Sequence, residues 1–575
     1  MKASIAAFLI APLALLAGIS SPRAEWRRNG NPVNARESWQ GLPAIAADEK
    51  GHSLIVWSDV PKSDFDTGPH IYGQRLDLDG VPLWDADGVV VCAAPGSFKR
   101  YAAVAMDWDQ GAVVAWEDSR GHRGSIYAQR IDSEGNVCWP AEGVPVCDAP
   151  YSQEQARVVP VSSGGAIVVW VDRRGGRGYY DIYAQRLDKD GACLWEHNGV
   201  CVFSGVNLFS TGVSAVSDGA DGAVIAWNRR NWAPDAYDIC AQHIDANGVC
   251  RWTENGMVVC NAPGEQLYPE TILLDRGAVI IVWYDRRNES MDIYAQKVSA
   301  GGVTLWEPNG MCVCCGAWDM QFPYIVSSNA SEAIIAWPDK RSGNLDIYAQ
   351  KLNCDGKLLW APEGVALCTE PARQSLAGLV KSADGGAVAT WYDERFMNCS
   401  VFAQKISADG SVLWDVNGIS VRSGAEIDEA CYDICIAGDS ERGAIIVWQD
   451  FRASIKDSID KPNIYAMRVM DVSASVTRVD FTDSPFRLRQ NYPNPFNPTT
   501  EITFELEEPS FISLGIYDAS GRFLRRLAEG RRPAGAHVER WDGLDMSGRA
   551  VASGIYFCRL EAGSFTETKK MVLLR

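Results

Sequence analysis

The stretch GAVVAWEDSRGHRGSIYAQRIDSEGNVCWPAEG, residues 111–143, decides the architecture. It opens on an apolar run ending at Trp116, turns through Asp118 and Arg120, and returns as SIYAQRID, residues 125–132. A tight turn, SEG, leads to NVCW ending at Trp139, and Gly143 follows four residues later. Short turns carrying Gly or Asp-Gly between such runs are hairpin signals. With the moderately apolar YAAVAM of residues 101–106 in front, the unit reads as four antiparallel strands, the last of them NVCW.

The unit repeats, and a search for self-similarity settles the fold class. The apolar run ends in Trp57, Trp116, Trp170, Trp227, Trp283, Trp337, Trp391 and Trp448. The IYAQ segment follows at Tyr72, Tyr127, Tyr183, Cys240, Tyr294, Tyr348, Phe402 and Tyr465, at intervals of 54–57 residues and 63 at the last copy. Four-stranded units at this period are the pattern of propeller blades. The Trp-x-x-x-Gly segment shows how the ends meet. It follows the first seven IYAQ strands, from Trp84/Gly88 to Trp414/Gly418, and is missing after the eighth. An orphan copy stands ahead of the first repeat, at Trp26, Gly30, Pro32 and Val33. A ring makes use of both anomalies and leaves no open sheet edge. The expected fold is all-β: an eight-bladed β-propeller over residues 25–470, closed by the N-terminal strand, followed by a small Ig-like β-sandwich.

Composition agrees with that reading. Among 575 residues there are 52 Gly and 21 Trp, many turns and many aromatic anchors. The net charge of −19 argues against nucleic acid and against anionic lipid as partners, because phosphate contacts need clustered Lys and Arg. Lys2 followed by the apolar run Ile5–Ile19 reads as a signal peptide over residues 1–24, too short for a stable membrane span. No other run is long and apolar enough to span a bilayer, so no transmembrane helix is expected in the mature chain. The 17 cysteines are an odd number. Cys92, Cys147, Cys260, Cys314 and Cys368 each lie eight residues after a repeat Trp, one slot in different repeats, and read as small buried hydrophobes. No zinc spacing occurs.

Asp and Arg recur after the second strand as Trp-x-Asp-x-Arg. The pairs are Asp118/Arg120, Asp172/Arg174, Asp285/Arg287, Asp339/Arg341, Asp393/Arg395 and Asp450/Arg452. Repeat one keeps Asp59 but has Pro61 at the Arg position. A pair present nearly everywhere reads as a structural tie by charge-assisted hydrogen bonds. The IYAQ Gln is expected to bond across neighbouring repeats. Turns such as DLDG, residues 77–80, resemble fragments of calcium loops but lack the spacing and terminal Glu of one. Calcium is the single metal the acidic turns suggest, and no other cofactor is indicated. Repeat four departs from the rule, with Arg229 and Asn231 in the loop NRRNWAPDAYD. Trp232, Arg229, Arg230 and Asp235 are therefore the candidate partner-binding residues. No catalytic fingerprint stands in a suitable context, and no catalytic or metal-binding residue is assigned.

Repeat signals stop near residue 470, and residues 471–484 read as a linker. Residues 485–575 bring NYPNPFNPTT (491–500), the IYDASGR hairpin, Gly535-Ala536-His537 before Trp541-Asp542-Gly543, the ASGIY strand and a terminal KMVLL. Short strands with turns at about ten-residue intervals indicate a small sandwich. This segment resembles the C-terminal sorting domains of type IX-like secretion systems and the related FlgD-like Ig domain. The resemblance implies recognition by outer-membrane secretion machinery and delivery to the cell surface or outside it. The repeats themselves resemble those of uncharacterised exported bacterial proteins, which implies no activity. The expected function is a secreted or cell-surface protein binding a glycan or protein ligand. An extracellular glycosidase or lyase is the alternative on fold analogy, and a structural surface component is the third. An asymmetric cluster of carboxylates in the central funnel would favour the enzyme.

Overall fold

The computed structural model describes residues 26–574 apart from 28, 61–67, 121–123, 177–179, 206–211, 231–235, 317–319, 321, 396–399, 423–430, 453–461, 472–485, 490, 507–509, 519–521, 534 and 563–564. The segment expected to be a signal peptide, and the expected linker apart from Asp471, lie outside the described residues. Among the described residues the regular structure is β throughout, with one 3-10 turn at Asp275–Gly277.

Residues 31–469 contain eight four-stranded antiparallel sheets. In the second sheet, Lys99–Met106, Ala112–Asp118, Ser125–Ile131 and Val144–Cys147 lie side by side in chain order. The eighth combines Cys431–Gly438, Ala444–Asp450 and Asn463–Val469 with Asn31–Pro32, placing Asn31 opposite Ala466 and Pro32 opposite Tyr465. First strands of consecutive sheets lie against one another: Trp39–Ala47 against Lys99–Met106, that against Gln153–Pro160, then Val213–Ser217, Gln266–Leu273, Tyr324–Asn329, Gln374–Lys381 and Cys431–Gly438. The last of these lies in turn against Trp39–Ala47.

The sheets stack because their second strands are apolar on both faces, as strands covered on two sides must be. Trp57, Trp116, Trp170, Trp283, Trp337, Trp391 and Trp448 are wholly buried. Burying an indole of about 200 Å² contributes roughly 5 kcal/mol of gross transfer free energy.

The structure moves the fourth strand. NVCW was expected to be that strand, but it makes only an isolated bridge, Ile131 to Val137. The strand is Val144–Cys147, just beyond Gly143. The reason lies in the Trp-x-x-x-Gly turn between them. Gly143 has φ of 78°, and a Cβ there would stand 2.6 Å from the Trp116 ring. Trp139 in turn donates its indole N–H to Lys189 O on the next sheet at 3.0 Å. The segment is a wedge between sheets rather than a strand. Gly30 repeats the geometry across the chain ends, with a Cβ position 2.5 Å from Trp448, and Trp26 donates to Leu78 O at 2.9 Å.

The IYAQ Gln also differs from expectation. Gln129 Nε2 donates to Pro140 O at 2.8 Å, and its Oε1 accepts from Trp139 N at 3.0 Å. It ties the wedge to its own sheet rather than to a neighbour, since Trp139 already spans the junction.

The C-terminal Ig-like domain has two sheets. Phe486–Leu488, Thr500–Leu506 and Gly535–Trp541 form one; Phe523–Arg532, Ser510–Asp518, Gly554–Ala562 and Phe565–Leu573 form the other. Phe504, Ile516, Trp541 and Met571 lie in their shared core. The NYPNPFNP entry staples the last strand. Phe496 packs 5.5 Å from the Trp541 ring, Asn494 Oδ1 accepts from Val572 N at 2.8 Å, and Phe496 N donates to Val572 O at 3.0 Å.

Candidate functional site

The repeated Asp and Arg form a clamp. Asp118 Oδ2 accepts from Trp116 Nε1 at 3.0 Å and from Arg120 Nη2 at 2.5 Å, while Oδ1 accepts from Arg120 N at 2.9 Å. The Arg120 guanidinium lies 4.0 Å over the Tyr127 ring, donates to Glu142 O at 2.9 Å, and reaches Cys92 Sγ of the preceding sheet at 3.2 Å. Burial acts to raise the Asp118 carboxyl, and the bonds from Arg120 and Trp116 outweigh it, holding it below its ordinary value. Asp172/Arg174, Asp285/Arg287, Asp339/Arg341, Asp393/Arg395 and Asp450/Arg452 pair likewise. In the eighth sheet Arg452 donates to Asn29 O at 2.7 Å, beside the N-terminal strand. The first sheet lacks the Arg, and Arg36 takes its place from another segment, 3.2 Å from Asp59 and 4.2 Å over Tyr72. The slot cysteines are buried, and burial pushes the Cys147 thiol up to about 12.

The clamp recurs in every sheet but the fourth, and the irregular features lie on the first strands. Six of these strands carry a bulge before the residue paired opposite the one preceding the core Trp. The bulge puts Leu42, Tyr101, Gln155, Tyr268 and Asp433 at positive φ, which bulky residues adopt only under constraint. The residue between the core Trp and the clamp Asp serves the next sheet's bulge. Glu117 accepts from Gln155 N at 2.9 Å, Tyr392 OH accepts from Ile434 N at 3.0 Å, and Gln449 donates to Gln40 O at 2.8 Å.

Strand register aligns the eight first strands residue by residue. Just past the bulge the equivalent positions are Ala44, Ala103, Arg157, Ser214, Glu270, Tyr324, Gly378 and Cys435. Four consecutive sheets supply Arg157, Ser214, Glu270 and Tyr324; the other four supply only Gly, Cys and Ala. The next position reads Ile45, Val104, Val158, Ala215, Thr271, Ile325, Leu379 and Ile436, nearly uniform and apolar. One layer therefore breaks the repeat, and along one arc.

The groups of that arc feel one another. Ser214 Oγ donates to Glu270 Oε2 at 3.3 Å and accepts from Thr271 N at 3.1 Å. Burial raises the Glu270 carboxyl above its usual value, against the opposing influence of Arg157 and Ser214. Burial, then the charge of Glu270, pushes the Tyr324 phenol up to about 12. Asn228 is 2% exposed in the fourth sheet, and neither its Oδ1 nor its Nδ2 has a hydrogen-bond partner among the described residues. Its Oδ1 lies against Gly212.

Beside the arc lies a cavity of about 630 Å³ lined by Leu42, Arg100, Tyr101, Glu117, Glu154, Gln155, Arg157 and Asp433. Tyr101 is 51% exposed, and Tyr268 meets Phe322 edge to face at 4.2 Å. Arg100 is held by Glu117 at 3.2 Å, and Glu154 by Arg173 at 3.2 Å. Burial raises the Glu117 and Asp433 carboxyls as well. The mouth thus offers exposed aromatic faces, hydroxyls and carboxyl groups of weakened acidity, the furniture of a polar-ligand pocket.

Of the four residues chosen from sequence, Trp232 and Asp235 lie outside the described residues. Arg229 is engaged with Asp238 at 3.1 Å, and Arg230 is exposed at the end of its strand. The mouth residues were missed because the first strands are the least regular part of the repeat. The signal was one aligned column, legible only with the bulge in place. Among the described residues no group of three or more His, Cys, Asp or Glu is placed to hold a metal ion, and no helix is long and apolar enough to cross a membrane.

The FlgD Ig-like domain family matches residues 491–564. No curated protein matches the chain. Among solved structures, the polysaccharide lyase Uly1 is similar at 9% identity over 80% of this chain and 94% of its own, with a TM-score of 0.37. An endo-arabinase from Bacteroides thetaiotaomicron is similar at 14% identity over 55% and 95%, with a TM-score of 0.27. PorZ, a surface component of the type-IX secretion system of Porphyromonas gingivalis, is similar at 10% identity over 92% of both chains, with a TM-score of 0.18.

Proposed function

We propose that residues 25–470 form an eight-bladed β-propeller closed by the N-terminal strand, and that the chain is a secreted or cell-surface glycan-binding protein. The cyclic order of first-strand contacts and the pairing of Asn31–Pro32 with Asn463–Val469 support the ring. Export rests on the signal peptide of residues 1–24 and on the C-terminal Ig-like domain, whose partner is outer-membrane secretion machinery. The glycan site is the bulged mouth. The observation that carries it is the arc of Arg157, Ser214, Glu270 and Tyr324 facing Gly378, Cys435, Ala44 and Ala103 in one layer. A structural device recurs around a ring, whereas a device confined to one arc serves something that lacks the ring's symmetry. Tyr101, Tyr268 and Phe322 suit the apolar faces of sugar rings, and the neighbouring hydroxyls and carboxyls suit their OH groups.

A glycan-binding screen on the full chain tests this reading. Tyr101→Ala and Tyr268→Ala each weaken the bound glycan about tenfold. Wild-type affinity in both variants would put the ligand elsewhere. A second reading, a carbohydrate-active enzyme, is favoured by the raised Glu270 carboxyl beside Tyr324, since a carboxyl raised by burial is the kind that serves as a general acid. Incubation with bound glycans, followed by assay for new reducing ends or unsaturated products, decides it. Activity absent in Glu270→Gln supports the enzyme; no products from any bound glycan removes it.

A further inference from the structure

We infer that the glycan taken at this mouth is an acidic one, and that Arg157 receives its carboxylate. The inference rests on the reading of the mouth as a glycan site and adds the class of sugar.

Arg100 is occupied by Glu117, and Arg173 by Glu154. Arg157 lines the same cavity, is exposed, and makes no ion pair within 4.0 Å among the described residues; its polar contact is Ala156 O at 3.4 Å. Among the described residues it is the one cation of the cavity lining without a carboxylate within 4.0 Å. The arginines of the repeated clamp are the contrast, each bound to its Asp and laid over a ring. Arg157 has no counterpart at the equivalent positions, so the repeat does not require it for folding.

The surroundings suit an incoming anion. Of the carboxyls near it, Glu117 is held by Arg100 and Glu154 by Arg173, and burial raises Glu270 on the fifth sheet and Glu117 and Asp433 in the cavity lining. The Glu270 carboxyl, raised by burial, and the Ser214 and Tyr324 hydroxyls offer hydrogen-bonding groups to the sugar oxygens next to the carboxylate. A planar guanidinium matches a carboxylate by two parallel N–H···O bonds, which is why Arg rather than Lys suits this task. The chain's net charge of −19 repels an acidic glycan at long range, so recognition depends on this local pair rather than on the overall field.

The test is calorimetric titration of the full chain with oligomers of galacturonate, glucuronate and mannuronate, and with the same oligomers after reduction of their carboxyl groups to alcohols. At least one acidic oligomer is expected to bind about tenfold or more tightly than its reduced form. Arg157→Gln brings the two within about twofold while the thermal melt stays unchanged, and Arg157→Lys restores part of the preference. Tyr101→Ala weakens both forms alike. Equal binding of acidic and reduced oligomers by the wild type, or a preference that survives Arg157→Gln, overturns the inference and leaves the glycan mouth standing. Binding that Tyr101→Ala and Tyr268→Ala leave untouched, or no binding of any oligomer, overturns both.

Discussion

Side chains of the same type do opposite things in this molecule. Asp118 is ionised in a closed set of donors, whereas Glu270 is crowded, with Ser214 as its one hydrogen-bond donor. The consequence for stability has a sign. A carboxyl whose folded value is raised above 4.5 contributes stability fully present below that value and lost as pH rises through the folded value. Glu270→Gln removes the cost of ionisation, so the variant melts higher than the wild type at pH 7 and about equally at pH 4. Differential scanning fluorimetry at the two values checks this, and a lower melting temperature at pH 7 would show Glu270 to be a structural anion. Sites that serve ligands commonly carry such a penalty.

At the scale of the element, the wedge made by Trp-x-x-x-Gly joins every sheet it belongs to. Its Gly has positive φ and lies on the core indole, so a methyl group there meets both backbone strain and overlap. Gly30→Ala is expected to lower stability by about 2 kcal/mol, as much as Gly199→Ala in the third sheet. Urea unfolding of the two variants compares them. A silent Gly30→Ala would detach residues 26–33 from the eighth sheet. The count of repeats was legible because large aromatic residues mark the buried centre of each sheet. The fourth strand was not, because Val144–Cys147 is four residues long and lies next to a louder Trp signal. The bonds of the IYAQ Gln were not legible either, since the wedge that receives them is defined by a fold, not by a spacing. The mouth stayed hidden for a related reason. A bulge shifts alignment by a residue, and Arg157, Glu270 and Tyr324 fall in one column only after that shift.

For the whole molecule, the Ig-like domain has a core of its own, centred on Trp541 and Phe496, separate from the clusters between the eight sheets. Calorimetry of the full chain is expected to show two transitions. Phe496→Ala leaves a cavity beside Trp541, costs about 3–5 kcal/mol, and moves one transition only. A single transition shifted as a unit would mean that the two parts unfold together.

The eighth sheet, drawn from both ends of the chain, also sets an order in time. Arg452 and the Asn29 carbonyl it holds are 423 residues apart. At about 5–20 residues per second, the ribosome delivers the second partner roughly 20–85 s after the first. Until then the N-terminal strand has nothing to pair with, and seven sheets wait with an unfinished edge. A chain that cannot lock itself before synthesis ends keeps one sheet incomplete for that interval, and the last strand of the eighth sheet acts as a latch that comes due only at the end of it.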